Sequence, residues 1–296
     1  MKLSFLRQVK YGFETAMVYC LYGFFYLMPL DVASDFGGWL LQGVGPWLGS
    51  SRVALKNLDL AFPEKSQTEK DKILVGMWNN LGRVIAEYPH LHRISSVVEL
   101  VGAEHMESVR DNGKAALLFS GHIANWELPV IRHRTGLDIH VVYRKPNNPW
   151  VDRLLRHARK SGCIGQIEKG TEGTRKIVSV LRKDGIVGFL ADQKLNEGMS
   201  IPFFGRGAMT APAIAHFALK FKCPIYPFRI QRLSGCRFRV TAFPPLEVME
   251  TGHKEDDVRE ILTAINRMLE NWIRETPEQW LWIHRRWPKD LYIGEA

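Results

Sequence analysis

An apolar run, Ala115–Phe119, stops at Ser120-Gly121 and is followed at once by His122-Ile-Ala-Asn-Trp-Glu127. The run reads as a buried strand and Ser-Gly as its turn, with a helix predicted over Asn125–Arg132. Similar apolar runs recur at Leu137–Tyr143, Gly185–Ala191, Pro224–Leu233 and Arg237–Ala242. Helical periodicity covers Glu69–Glu87, Pro149–Ser161, Thr171–Lys183, Ala211–Phe221 and Asp256–Glu275. This alternation predicts an α/β fold with a mixed central sheet flanked by helices, and a helical first hundred residues.

His122 is suited to act as a general base, because imidazole titrates nearest to neutral pH. Five residues along one helix would place Glu127 about 140° from His122. With His122 in the turn and Glu127 in the first helical turn, the carboxylate is predicted to reach back and orient the imidazole. A second pair with the same spacing, His133 and Asp138, lacks the strand-turn-helix setting and is read as coincidence. Ser120 has no Gly-x-Ser-x-Gly frame, so direct attack by a bound hydroxyl is favoured over a covalent acyl-enzyme. Neither a metal nor a cofactor is required. Arg144, or backbone N–H groups after His122, are candidates to stabilise an oxyanion.

His122-Ile-Ala-Asn-Trp-Glu127, Tyr143-Arg144-Lys145-Pro146, Asp192-Gln193 with Phe203-Phe204-Gly205, and Pro224-Ile225-Tyr226-Pro227 form an ordered series. It resembles the blocks of the lysophospholipid acyltransferase superfamily. Glutamate at position 127, Asn57-Leu-Asp-Leu-Ala-Phe-Pro63 and Gln279-Trp-Leu-Trp282 resemble the late acyltransferases of bacterial lipid A synthesis. The resemblance runs from about Arg52 to Pro288. It implies transfer of a fatty acyl chain from acyl carrier protein to a hydroxyl of a phosphorylated lipid A precursor, on the cytoplasmic side of the inner membrane. It also implies His122 as base, Glu127 as its partner, Arg144 as a phosphate contact, Asn125 as a residue shaping the site, and Asp192 and Gln193 as positioning residues. Phe204 and Gly205 belong to a loop read either as a wall of the acyl-chain groove or as a plain hydrophobic anchor. The rival readings are transfer to a glycerophospholipid, ornithine lipid or mannosylated lipid, and a non-catalytic basic membrane-binding protein.

The 296 residues divide into an N-terminal membrane anchor or hairpin, residues 1–50, and a catalytic domain, residues 51–296. Thr15–Leu30 and Phe36–Leu48 carry no charged side chain, and basic residues flank the pair at both ends. That pattern suits a shallow hairpin or interfacial insertion better than one crossing; a buried hairpin is the alternative. Four scattered cysteines fit neither a zinc site nor a disulfide framework. The net charge of +9 suits anionic partners, namely acyl carrier protein, phosphorylated lipid and the membrane, with nucleic acid not expected. The basic helix carrying Arg153, Arg156, Arg159 and Lys160 is read either as a solvated face or as a carrier-protein dock.

Overall fold

The computed structural model describes residues 5–94, 98–128, 136–247 and 251–292. Helices α1 (Phe5–Tyr26), α2 (Leu30–Val44), α3 (Ser50–Ala61), α4 (Gln67–Glu87) and α5 (Leu91–Ile94) lead into β1 (Val98–Val101) and α6 (Ala103–Asn112). There follow β2 (Ala116–Ser120), β3 (Ile139–Tyr143), α7 (Pro149–Ala158), β4 (Gly165–Glu168), α8 (Thr171–Leu181) and β5 (Ile186–Leu190). The chain then forms a hairpin, β6 (Lys194–Phe203) and β7 (Arg206–Thr210), before α9 (Ala213–Phe221), β8 (Ile225–Ser234), β9 (Arg237–Ala242) and α10 (Lys254–Glu275).

Seven strands form one mixed sheet in the order β1-β9-β8-β2-β5-β3-β4, in which only β8 and β9 run antiparallel. The fold is therefore α/β with flanking helices, as the alternation predicts. β2 lies between β8 and β5, and its residues 116–119 are all buried, which accounts for the unbroken apolar run. Local chemistry sets several helix starts. Ser66 and Glu69 form a reciprocal capping box at α4, and the Asn148 side chain accepts from the Trp150 and Val151 N–H groups at the start of α7.

The helix predicted to begin at Asn125 does not form over residues 125–128, which make a turn. Ala124 adopts a left-handed φ of 52°, and the Asn125 Oδ1 accepts the Glu127 N–H at 3.1 Å, a local alternative to helical bonding. Residues 129–132 and His133 lie outside the described residues. The Trp280–Trp282 segment is buried and forms an isolated antiparallel bridge between Trp280 and Ile123 rather than a strand of the sheet.

Helix α2 packs on α4 at a backbone-to-backbone crossing. A Cβ built on Gly82 would lie 2.0 Å from the Gly37 carbonyl oxygen, and one on Gly37 would lie 2.5 Å from that of Gly82. Gly82→Val therefore forces the helices apart, with an expected loss of about 1–3 kcal/mol from overpacking. Thermal unfolding and protease cleavage within α2 measure this; a variant with unchanged Tm and cleavage would contradict so tight a crossing. Among the described residues, no helix is long and apolar enough to cross a membrane.

Candidate active site

β2 and β5 are parallel neighbours, and Ser120 pairs with Leu190 at their carboxyl ends. Two residues further along each strand stand His122 and Asp192, so the sheet register alone brings them to the same height. The carboxyl edge of a parallel sheet is the usual place for a site in such folds. The His122 Nδ1 lies 2.7 Å from Asp192 Oδ1, while the His122 backbone N–H donates to Asp192 Oδ2 at 2.7 Å. The Trp280 indole N–H also donates to Oδ2, at 2.7 Å. Burial alone would raise the Asp192 pKa, but the His122 charge and these three hydrogen bonds outweigh it and hold the carboxyl well below the usual range. A carboxylate fixed in that state pairs with a proton on His122 Nδ1, the tautomer whose neutral form carries its lone pair on Nε2.

Glu127 does not orient His122, contrary to the sequence expectation. Its carboxylate is gripped by Arg159, with Nε at 2.6 Å from Oε2 and Nη2 at 2.5 Å from Oε1. Arg159 also donates to the Tyr88 hydroxyl at 2.9 Å. Burial would lower the Arg159 pKa, but the bonds and charge of Glu127 prevail and raise it. Burial and then the Glu127 charge push the Tyr88 phenol well above its ordinary value. The backbone reversal at Ala124 and the turn at Asn125 are what direct Glu127 toward α7. Asn125 is fully buried and its amide donates to Glu87 Oε2 at 2.7 Å, so it holds the loop from beneath. Glu87 in turn pairs with Arg232 at 2.5 Å, and Asn80 donates to the Ala124 carbonyl at 3.0 Å.

On the open side of His122, the Gln193 amide nitrogen lies 3.4 Å from Nε2, and its oxygen accepts from Lys169 Nζ at 3.3 Å. Arg144 and Lys169 each follow a strand at this edge, after Tyr143 of β3 and Glu168 of β4, which pair in register. The His284 ring stands 6.1 Å from that of His122; burial and then the His122 charge lower its pKa. On the other side, the Trp126 ring is 5.3 Å from His122 and forms part of the wall of an apolar cavity of about 150 Å³. Leu118, Val141, Cys163, Phe189 and Phe228 also line it, with Glu127 and Arg159 at its boundary. Phe204 and Gly205 make the two-residue turn between β6 and β7, both with positive φ. Phe204 is buried against Phe62, Phe203, Trp282 and Trp287, outside the lining of this cavity.

The family described as bacterial lipid A biosynthesis acyltransferase matches residues 4–289. The chain belongs to this family. A lipid A biosynthesis lauroyltransferase of Escherichia coli K12 is 25% identical over 246 residues, covering 80% of this chain and 78% of that protein. A lipid A biosynthesis acyltransferase of Haemophilus influenzae is 24% identical over 294 residues, covering 91% and 88%. A lipid A biosynthesis palmitoleoyltransferase of Escherichia coli K12 is 25% identical over 257 residues, covering 82% and 80%. The chain is thus an acyltransferase of lipid A biosynthesis, and the reading as a non-catalytic binding protein falls away.

Sequence reasoning alone missed the roles of Arg159, Tyr88 and Trp280 in this acyltransferase. Arg159 hid among the basic residues of its helix, of which Arg153 and Arg156 are exposed. The Gln279–Trp282 block did carry a signal, since Trp280 completes the Asp192 site and the Trp282 carbonyl accepts the Asn57 amide at 2.5 Å. That contact joins the Asn57–Pro63 and Gln279–Trp282 blocks in space.

Proposed function

We propose that the enzyme transfers an acyl chain from the thioester of acyl carrier protein to a hydroxyl of a phosphorylated lipid A precursor, at the cytoplasmic face of the inner membrane. His122 Nε2 removes the hydroxyl proton as the oxygen attacks the thioester carbonyl. The C–S bond then breaks, and the proton held on Nε2 passes to the departing thiolate. Asp192 keeps the imidazole in the Nδ1–H tautomer and stabilises the imidazolium between these steps. The Gln193 amide, already on the Nε2 face, yields to the incoming hydroxyl and donates to the developing oxyanion; one such donor is typically worth about 2.7–4 kcal/mol. The acyl chain enters the cavity behind Trp126, and Arg144 with Lys169 draws the anionic groups of donor and acceptor.

One observation carries this reading: an imidazole oriented by Asp192 stands against Trp126, which lines an apolar cavity, at the sheet end where Arg144 and Lys169 follow their strands, and this suits a substrate that is part hydrocarbon and part phosphate. Mass spectrometry of purified lipid A precursor incubated with acyl carrier protein thioesters tests it. A gain of one acyl chain is expected, reduced about 100- to 10,000-fold by His122→Ala. Acylation of glycerophospholipid in preference to the precursor, or no gain with any donor from a folded protein, would contradict it.

A further inference from the structure

Glu87 closes α4 and is completely buried, yet it does not line the apolar cavity beside His122. Four side chains converge on its carboxylate. Oε1 accepts from Ser34 Oγ at 2.6 Å and from Arg232 Nη1 at 2.5 Å, with the Cys236 thiol at 3.6 Å. Oε2 accepts from Asn125 Nδ2 at 2.7 Å and from Arg232 Nη2 at 3.0 Å. A buried ion pair of this kind adds little net stability over an apolar pair, because desolvation offsets the attraction. Its effect is directional: the two oxygens fix where each donor must stand.

Two arms lead from the Glu87–Arg232 pair to the site. In the first, Asn125 is held by Glu87 through its amide nitrogen and turns its Oδ1 to the Glu127 N–H at 3.1 Å, which sets the turn after Ala124. In the second, Gln279 brackets the backbone of Arg232: its Oε1 accepts the Arg232 N–H at 2.8 Å, and its Nε2 donates to the Arg232 carbonyl at 2.9 Å. The Gln279 carbonyl accepts the Ala124 N–H at 2.9 Å, the Leu281 N–H donates to the His122 carbonyl at 3.1 Å, and Trp280 between them donates to Asp192. Asn80 ties the arms together, accepting from Arg232 Nε at 3.0 Å and donating to the Ala124 carbonyl at 3.0 Å. The pair thus reaches His122 through its own loop and Asp192 through Trp280.

We infer that Glu87, paired with Arg232, is a positioning residue of the acyl-transfer site, which holds the His122 loop against the Trp280 segment and so sets His122 against Asp192. This rests on the roles given to His122 and Asp192 above. Glu87→Gln places an amide where Oε2 stood, facing the Asn125 amide. Asn125 must turn over to meet it, and then presents its own N–H groups to the Glu127 N–H, so the turn loses its acceptor. Adding Asn125→Asp repairs this: one carboxylate oxygen accepts from the new amide, the other from the Glu127 N–H, and the negative charge stays beside Arg232. Asn125→Asp alone sets two carboxylates against each other.

Hydrogen exchange followed by mass spectrometry on the full chain tests the positioning, alongside kcat and KM for transfer from acyl carrier protein thioester to lipid A precursor. Glu87→Gln is expected to speed exchange in peptides spanning residues 121–127 and 279–281 while leaving β4 and α8 as protected as before. It should lower kcat about 10- to 100-fold with KM little changed, the signature of a misplaced catalytic group. Glu87→Gln with Asn125→Asp should recover most of both the protection and the rate. Unchanged local exchange and kcat in Glu87→Gln would overturn the inference. So would exchange raised throughout the chain, or a double variant no better than the worse single one. If the wild type transfers no acyl chain to the precursor, the functional reading fails, whereas the exchange pattern still decides whether Glu87 holds these two segments together.

Discussion

Asp192→Asn is expected to reduce turnover about 100- to 10,000-fold while leaving the fold in place, a loss of the size seen when general base catalysis is removed. The wild-type carboxylate requires a proton on His122 Nδ1 across 2.7 Å. An amide at the same place offers N–H as well as C=O, and can hold the ring with the proton moved to Nε2, where the base is disabled. The hydrogen bonds from the His122 backbone and the Trp280 indole need only an acceptor, so the carbonyl oxygen of asparagine can keep them in part. The pH dependence carries a sign. The folded-state pKa of Asp192 lies below its unfolded value, so the carboxylate contributes stability above about pH 4 and that contribution fades as pH falls through the folded value. Wild type and variant should therefore differ most in stability near neutrality and converge in acid. Kinetics and denaturant titration across pH measure both effects; near wild-type turnover would contradict the assignment.

Glu127→Ala is expected to cost about 3–5 kcal/mol, because it leaves the Arg159 guanidinium in a largely buried position without its bidentate partner. The side chains of Arg159 and Glu127 are only 17% and 9% exposed, so solvent does little to replace the lost contact. Glu127→Ala with Arg159→Leu should recover part of the loss, since no unpaired charge then remains beside the apolar cavity. Turnover should also fall in the single variant, because a loosened Arg159 disturbs the cavity wall it shares with Trp126 and its hydrogen bond to Tyr88. Chemical denaturation of Glu127→Ala, Arg159→Leu and the double variant checks the coupling; simple additivity of the two single substitutions would contradict it.

The same two carboxylates mark where sequence reasoning succeeds and where it stops. Strands such as Arg237–Ala242 and the helices from Gln67 and Pro149 announce themselves through periodicity and capping, both local properties. The short edge strands Val98–Val101 and Gly165–Glu168 do not, since four residues with half-exposed faces leave little pattern. His122 stood out as the candidate base because a turn after a buried strand is a local signal. Its partner did not, because the choice between Glu127 and Asp192 rests on one long-range pairing and on one backbone reversal that the residue types do not announce. One is the Ser120–Leu190 register, which sets residues seventy apart side by side; the other is the left-handed turn at Ala124, which swings Glu127 away. Motif order singled out Arg144 and Gln193, and the fold brings both to the end of the sheet that carries His122, whereas the motif around Phe204 could not tell a groove wall from a packed aromatic cluster.

The most direct test is a cycle of transfer rates for wild type, His122→Ala, Asp192→Asn and the double variant, with acyl carrier protein thioester and lipid A precursor. If Asp192 acts through His122, the double variant should be no slower than His122→Ala alone, because an orienting carboxylate has nothing left to orient. If the two losses multiply instead, Asp192 works independently of His122, and the pairing at the centre of this account is wrong.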